Sequence, residues 1–305
     1  MSEMRAFTIA TVLLIAVIFL FLALSKNNEN PKFNIDGKPR AIQNNDETTT
    51  VTSRNFHARI EVPKCKPNSN YDEIFVGDRR KALTEAESAR RKLLEASKSL
   101  DNKEFYEKIT IEAYCPKIIR IGETDDGGKF VCNPEMIPDD CTLMSLGLNN
   151  QIGFDIQIQS ITQQRCKIIG TDIAAQNEAT LETYKKINGQ TYVGRIGPEL
   201  SIGNLLEKSG ATRAEMLKID IENAEHEALP PFLRDYLVCQ IFVEIHGTPS
   251  QHLQLMQKIA NLGFRLFSFE PNPYCPTCCE YSYINELCMQ QYHMLPLSSR
   301  VPLNI

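Results

Sequence analysis

The sequence has no tryptophan, no Asn-x-Ser/Thr acceptor, no visible internal repeat and no Gly-x-Gly-x-x-Gly turn. The first absence carries little weight. The second leaves glycosylation silent about the compartment. The missing glycine turn argues against a nicotinamide-dependent dehydrogenase. Basic charge is also short: the net charge of -5 offers no surface to attract nucleic acid as the main partner. With 42% hydrophobic and 23% charged residues, the 305-residue chain suits one large globular domain plus appendages.

What is present begins with an apolar run, AFTIATVLLIAVIFLFLAL at 6–24, whose only polar members are Thr8 and Thr11. As a helix it rises about 28 Å, enough to cross a bilayer's hydrocarbon core. It reads as a signal anchor over 1–25, or as a signal peptide cut after Ser25, because Ala23-Leu24-Ser25 is a small-x-small site. The length of the run and the single basic residue before it, Arg5, favour the anchor. Lys26, Lys32, Lys38 and Arg40 outnumber Arg5, which by the positive-inside rule puts the body in the cytosol. All ten cysteines follow the run, an even number expected of disulfides in an oxidising lumen. The reading adopted is a single-pass membrane protein facing the Golgi or ER lumen, or a secreted one if cleaved.

Residues 26–70 are polar and read as a flexible stem. Residues 71–113 read as a helical appendage, with Leu83, Ala86, Leu93, Leu94 and Leu100 on one side, packed on the following domain rather than left as a solvated stalk. From 114 to 305 the rhythm changes. CPKIIRIGETDDGGKFVC flanks Asp125-Asp126-Gly127-Gly128 with apolar pieces, a hairpin signal. Strands are expected at 141–148, 166–173, 190–197, 215–222 and 239–247, each followed by a helix. Strands at 264–270 and 280–288 close the chain with no helix between them. This predicts an α/β fold: a seven-stranded, mostly parallel Rossmann-like sheet, one antiparallel strand near its edge, helices on both faces.

In such a sheet, ligands sit outside the carboxyl ends of the strands. Gly147, Asn149 and Asn150 follow the first strand, Asp172 ends the second, Asp220 and Glu222 end the fourth, and Glu244 and His246 end the fifth. Asp172 is placed to accept hydrogen bonds from a ribose diol; the competing role is to cap the next helix. Asp220 directly follows four apolar-strand positions, where a carboxylate needs a partner or a solvent-filled cleft. His246, beside Glu244, is the candidate general base, against the alternative of a satisfied core histidine. Glu225 and Glu227 read as helix-dipole and surface residues.

SLGLNNQIGFD, IIGTDI, LKIDIENAEHEAL and IFVEIHG, in that order, resemble the S-adenosylmethionine-dependent methyltransferases of the FkbM and methyltransferase-like type. The likeness is greatest to an animal, membrane-anchored branch with an Asp-Gly-Gly hairpin before the first strand, matched here by Asp126 to Cys132. It covers about Cys115 to the C-terminus. The resemblance implies a class I methyltransferase fold using S-adenosylmethionine, with Gly147, Asn149 and Asp220 near the methionine part and Asp172 on the ribose hydroxyls. Asp220 and Glu222 would line the transfer site with Glu244 and His246, His246 being the candidate base, and the reaction would be methylation of a hydroxyl on a small molecule, glycan or lipid. After the third strand only Glu199 offers an acid for the adenine. Asp220, Glu222 and Glu244 would suit Mg²⁺ as a lesser option, though a metal-free acidic site reads the same. The alternatives are a Golgi-type glycosyltransferase, whose Asp-x-Asp motif has its nearest counterpart in Asp220-Ile221-Glu222, and a non-catalytic binding module keeping the fold. Cys275, Cys278, Cys279 and Cys288 cluster in YCPTCCEYSYINELC; adjacent Cys278 and Cys279 make a four-cysteine zinc site awkward, so structural disulfides are expected.

Overall fold

The computed structural model describes residues 70–124, 127–197 and 199–303. The apolar run at 6–24 and nearly all of the stem lie outside them; among the described residues no helix is long and apolar enough to cross a membrane. Helix α1 (Asn70–Ala96) is followed by the short α2 (Asn102–Tyr106) and strand β1 (Ala113–Tyr114). Ala82, Ala86, Leu93 and Ala96 form the buried stripe of α1, while Leu83 and Leu94 face solvent. Leu100 lies beyond the helix end and is exposed. The expected leucine stripe is therefore mostly alanine, which lets the helix approach the C-terminal segment closely. Ser298 Oγ donates to the Ala82 carbonyl (3.1 Å) and Arg90 Nη1 to the Ser299 carbonyl (2.6 Å).

The hairpin pairs β2 (Ile118–Ile121) with β3 (Lys129–Cys132) as a separate two-stranded sheet, Ile118 opposite Cys132 and Ile121 opposite Lys129. Then come β4 (Thr142–Leu146), α3 (Gly153–Ile161), β5 (Lys167–Asp172), α4 (Glu178–Lys186), β6 (Gly189–Val193) and α5 (Ile202–Lys208). They are followed by β7 (Arg213–Ile219), α6 (Glu225–Asp235), β8 (Leu237–His246), α7 (Pro249–Asn261), β9 (Phe264–Pro271) and β10 (Cys278–Asn285). The last strand, β11 (Leu295–Pro296), pairs antiparallel with β1. Sequence marks several helix starts: Asn177, Ser201 and Thr248 each accept a backbone N–H with the side chain, and Gln251 completes a capping box with Thr248.

Seven strands form the central sheet in the order β6-β5-β4-β7-β8-β10-β9. All neighbours are parallel until β10, which runs antiparallel to both β8 and β9. Chain order reverses at β4, between β5 and β7, which opens a crevice over the strands' carboxyl ends. Alternation along each strand feeds two cores. Met144, Leu146, Leu217, Ile219, Ile241 and Val243 join one with the helices α2, α5, α6 and α7. Leu143, Met216 and Phe242 join the other with α3 and the hairpin.

The hairpin is fastened over that second core. Gln240 of β8 exchanges two hydrogen bonds with the Cys132 backbone (3.0 and 2.9 Å), and Lys129 Nζ donates to Glu280 of β10. Disulfides join Cys115–Cys132, Cys141–Cys166, Cys239–Cys288 and Cys275–Cys278; Cys279 is buried and unpaired. The bridge at 275–278 consumes two of the four clustered cysteines, so this cluster is not a zinc site.

Candidate active site

The crevice holds a pocket of about 760 Å³ lined by Gly147, Asn149, Asp172, Asp220, Glu222, Glu244 and His246. These seven residues therefore meet in one hollow, and the volume lies in the range of small-molecule sites. Gly147, at φ +82°, needs to be glycine: a Cβ there would fall 1.7 Å from the Asp220 carbonyl oxygen. This close approach brings the β4 and β7 loops together. Asn149 and Asn150 hold φ of 44° and 59°, the left-handed conformation that asparagine tolerates better than most residues.

Asp172 does not cap α4; Asn177 does. Its carboxylate accepts instead from the Asn149 N–H (2.6 Å) and the Ala174 N–H (3.0 Å), which ties the first loop to the second strand's end. Glu199 lies outside the pocket lining and accepts from the Arg195 N–H (2.9 Å), closing its own loop. The wall after β6 is made by Gly194, Arg195 and Ile196 instead.

His246 is held on several sides. Its backbone N–H (3.0 Å) and Nδ1 (3.1 Å) both contact Glu225 Oε1, and His226 Nε2 donates to its carbonyl (2.7 Å). Glu225 is thus no surface residue. It is wholly buried at the start of α6, whereas Glu227 is exposed. Nε2 of His246 lies 3.8 Å from Asp220 and 3.5 Å from Glu222. Burial by itself lowers the imidazole's pKa, but the hydrogen bond and charge of Glu225, then the charges of Asp220 and Glu244, outweigh it and push it up to about 9.

Glu244 is buried and accepts from Asn272 Nδ2 (2.9 Å). Burial first, then the charges of Glu280 and Asp220, raise its pKa to about 8, against the lowering effect of Lys129 and Asn272. Asp220, Glu222 and Glu244 all line the pocket, but among the described residues they are not grouped together as one three-acid ligand set. The groupings with ligand atoms close together are Asp220, Glu222 and His246, and Glu244, His246 and Cys278, the last already in a disulfide. Sequence reasoning missed Lys218, Asn272, Tyr274 and the Cys275–Cys278 bridge, all of which line the pocket. Only Lys218 carried a signal: a lysine between Leu217 and Ile219 in a buried strand.

A family model described as the methyltransferase FkbM domain matches residues 106–266, more than half of the chain. The chain belongs to the FkbM methyltransferase family. Comparison with curated proteins finds no match. Among solved structures, Aeropyrum pernix fibrillarin in complex with S-adenosyl-L-methionine is 13% identical, at a TM-score of 0.36 over 55% of this chain and 82% of that one. A precorrin-6y C5,15-methyltransferase from Geobacter metallireducens is 11% identical, at 0.34 over 50% and 84%. A putative methyltransferase complexed with SAH, SMU.776, is 9% identical, at 0.34 over 60% and 63%.

The pocket of this FkbM methyltransferase fits the family's donor, S-adenosylmethionine, on its own chemistry. Asp172 lies at the end of the second strand, where nucleoside-binding folds hold the ribose diol. Asp220 and Glu222 line the same pocket, and carboxylates suit a sulfonium cation.

Proposed function

We propose that the protein methylates a hydroxyl oxygen of a small-molecule, glycan or lipid acceptor, with His246 as the base. When bound, S-adenosylmethionine supplies an electrophilic methyl group, so the protein's task is to hold donor and acceptor in line and take up the acceptor's proton. The single supporting observation is the buried Glu225–His246 pair, which fixes the ring through Nδ1 and leaves Nε2 at the pocket beside Asp220. In that arrangement Glu225 keeps the proton on Nδ1, and Nε2, once free, receives the hydroxyl proton. Asp172, Gly147 and Asn149 hold the donor, and Asp220 faces its reactive end.

The test begins with donor binding. The full-length chain should melt at a higher temperature with S-adenosylhomocysteine and show no such gain with UDP-sugars or NAD. A gain with a UDP-sugar alone would favour the glycosyltransferase reading. Tritium transfer from labelled donor into a panel of glycans, lipids and small alcohols then separates an enzyme from a binding module. His246→Gln should retain the thermal gain and lose transfer. Because His246 must be unprotonated to act, turnover should climb with pH until about 9; a rate flat across pH 7 to 9 would remove His246 from the role.

We further propose that the body resides in an oxidising lumen, anchored through Ala6–Leu24, or is secreted after cleavage at Ser25. Four disulfides among the described residues support this. Mass measurement of the unreduced protein tests it: thiols free at these eight positions would overturn it.

A further inference from the structure

Strand register places acids side by side across the sheet. Glu280 of β10 stands opposite Glu270 of β9 on one side and Glu244 of β8 on the other. In β7, Ile219 is opposite Val243, so Asp220, one residue on, comes level with Glu244. Like charges directly opposite one another destabilise a sheet, so this row of four needs compensation from outside it.

The hairpin provides cations for half of the row. Arg120 of β2 pairs with Glu270, and Lys129 of β3 pairs with Glu280. The Lys129 side chain is 1% exposed, unusual for a lysine unless its charge is matched. Its ammonium has to overcome burial, and Glu280 chiefly, then Asp220 and Glu244, keep it charged. One oxygen of Glu280, Oε2, has no hydrogen-bond partner among the described residues. That pair therefore rests on the lysine. Glu244 makes no ion pair among the described residues and accepts only from the Asn272 amide.

We propose that the hairpin belongs to the active site: Arg120 and Lys129 are positioning residues whose charges offset Glu270 and Glu280, which leaves Glu244, beside His246 and Asp220, as the buried acid of the row with no ion pair among the described residues. This deepens the methyltransferase reading and rests on it for the meaning of the site. The groups that interact with Glu244 are Glu280 and Cys279 from β10, Lys129 from β3, Asp220 from the β7 end, Asn272 after β9, Tyr106 from α2, and His246 on its own strand. Of these, Lys129 favours the ionised form of Glu244, and so does protonated His246, which Glu244 in turn helps to keep charged. Removing Lys129 leaves Glu280 and Glu244 as adjacent buried carboxylates, which pushes the Glu244 proton on more firmly.

The test is a titration of the Glu244 side-chain carboxyl by carbon-13 NMR in the full-length chain, assigned with Glu244→Gln. Lys129→Met should raise the Glu244 midpoint by about one pH unit or more. Lys129→Arg should leave it within about half a unit of the wild type, since the charge is restored. The double variant Lys129→Met with Glu280→Gln removes both partners, and there the midpoint should fall below the wild type. This double variant also serves if the single one does not fold. A Glu244 midpoint unchanged in folded Lys129→Met, or one not lowered in the double variant, overturns the proposal. S-adenosylhomocysteine melting on the same samples separates the two claims. A wild type that gains nothing from that ligand defeats the donor reading, while the titration still reports on the hairpin.

Discussion

The two faces of the sheet differ most at its carboxyl end. On one face Leu146, Ile219, Val243 and Ile245 carry the apolar core through to the last residues of β4, β7 and β8. On the other, a single residue away in β7 and β8, stand Lys218, Asp220, Glu244 and His246. The same backbone ends hold both sets. Chemistry is confined to one face because side chains alternate with a period of two, so the apolar face fixes the strands while the polar face works.

Breaking the seam between the faces should have the largest effect. Glu225 reaches from α6 to the β8 end, and Glu225→Ala leaves the His246 N–H and Nδ1 without their acceptor. A loss of about 4 kcal/mol in urea unfolding is expected, and a change under about 1 kcal/mol would show that the contact does not hold the strand end. Next comes the apolar face. Leu217→Ala, at a fully buried position, should cost about 3 kcal/mol yet leave affinity for S-adenosylhomocysteine unaltered. A weakened affinity at constant fold would show that the faces are not independent.

A third test uses pH. Glu244 binds its proton more tightly folded than unfolded, so its contribution to stability is complete below about 4.5 and lost as pH climbs to about 8. His246 acts in the same direction, complete below about 6.5 and lost through about 9. Stability should therefore fall from pH 5 to 9, and Glu244→Gln should flatten the lower part of that fall by about 2 kcal/mol. A variant falling as steeply as the wild type would acquit Glu244. The smallest effect belongs to Asp172→Ala, which should weaken S-adenosylhomocysteine about tenfold, a hydrogen bond's worth, as read by calorimetry. An unchanged affinity would remove Asp172 from the donor site.

Much of this was legible along the chain. Apolar runs alternating with helical stretches marked the βα units, and a missing helix between the last two runs marked the antiparallel return of β10. Gly147, Asp172, Asp220, Glu244 and His246 could be picked out because each lies at a strand's carboxyl end. Ala86 and Leu93 of the expected α1 stripe are buried, but Ala82 and Ala96 complete it in place of Leu83 and Leu94, because alanine gives a weak hydrophobic signal but permits close packing.

The partners of those residues were not legible. Glu225 looked like any acid in a first helical turn until α6 was seen to turn it inward beneath His246. Lys129 looked like the polar end of a hairpin until β3 was laid against β10. The chain by itself determined which residues alternate, where strands end and where turns fall, since those follow from local sterics and hydrophobic period. Only the tertiary structure decided which charges are buried together, because register between strands far apart in sequence places Glu270, Glu280, Glu244 and Asp220 in one row. Burial, in turn, sets how strongly those charges act on one another.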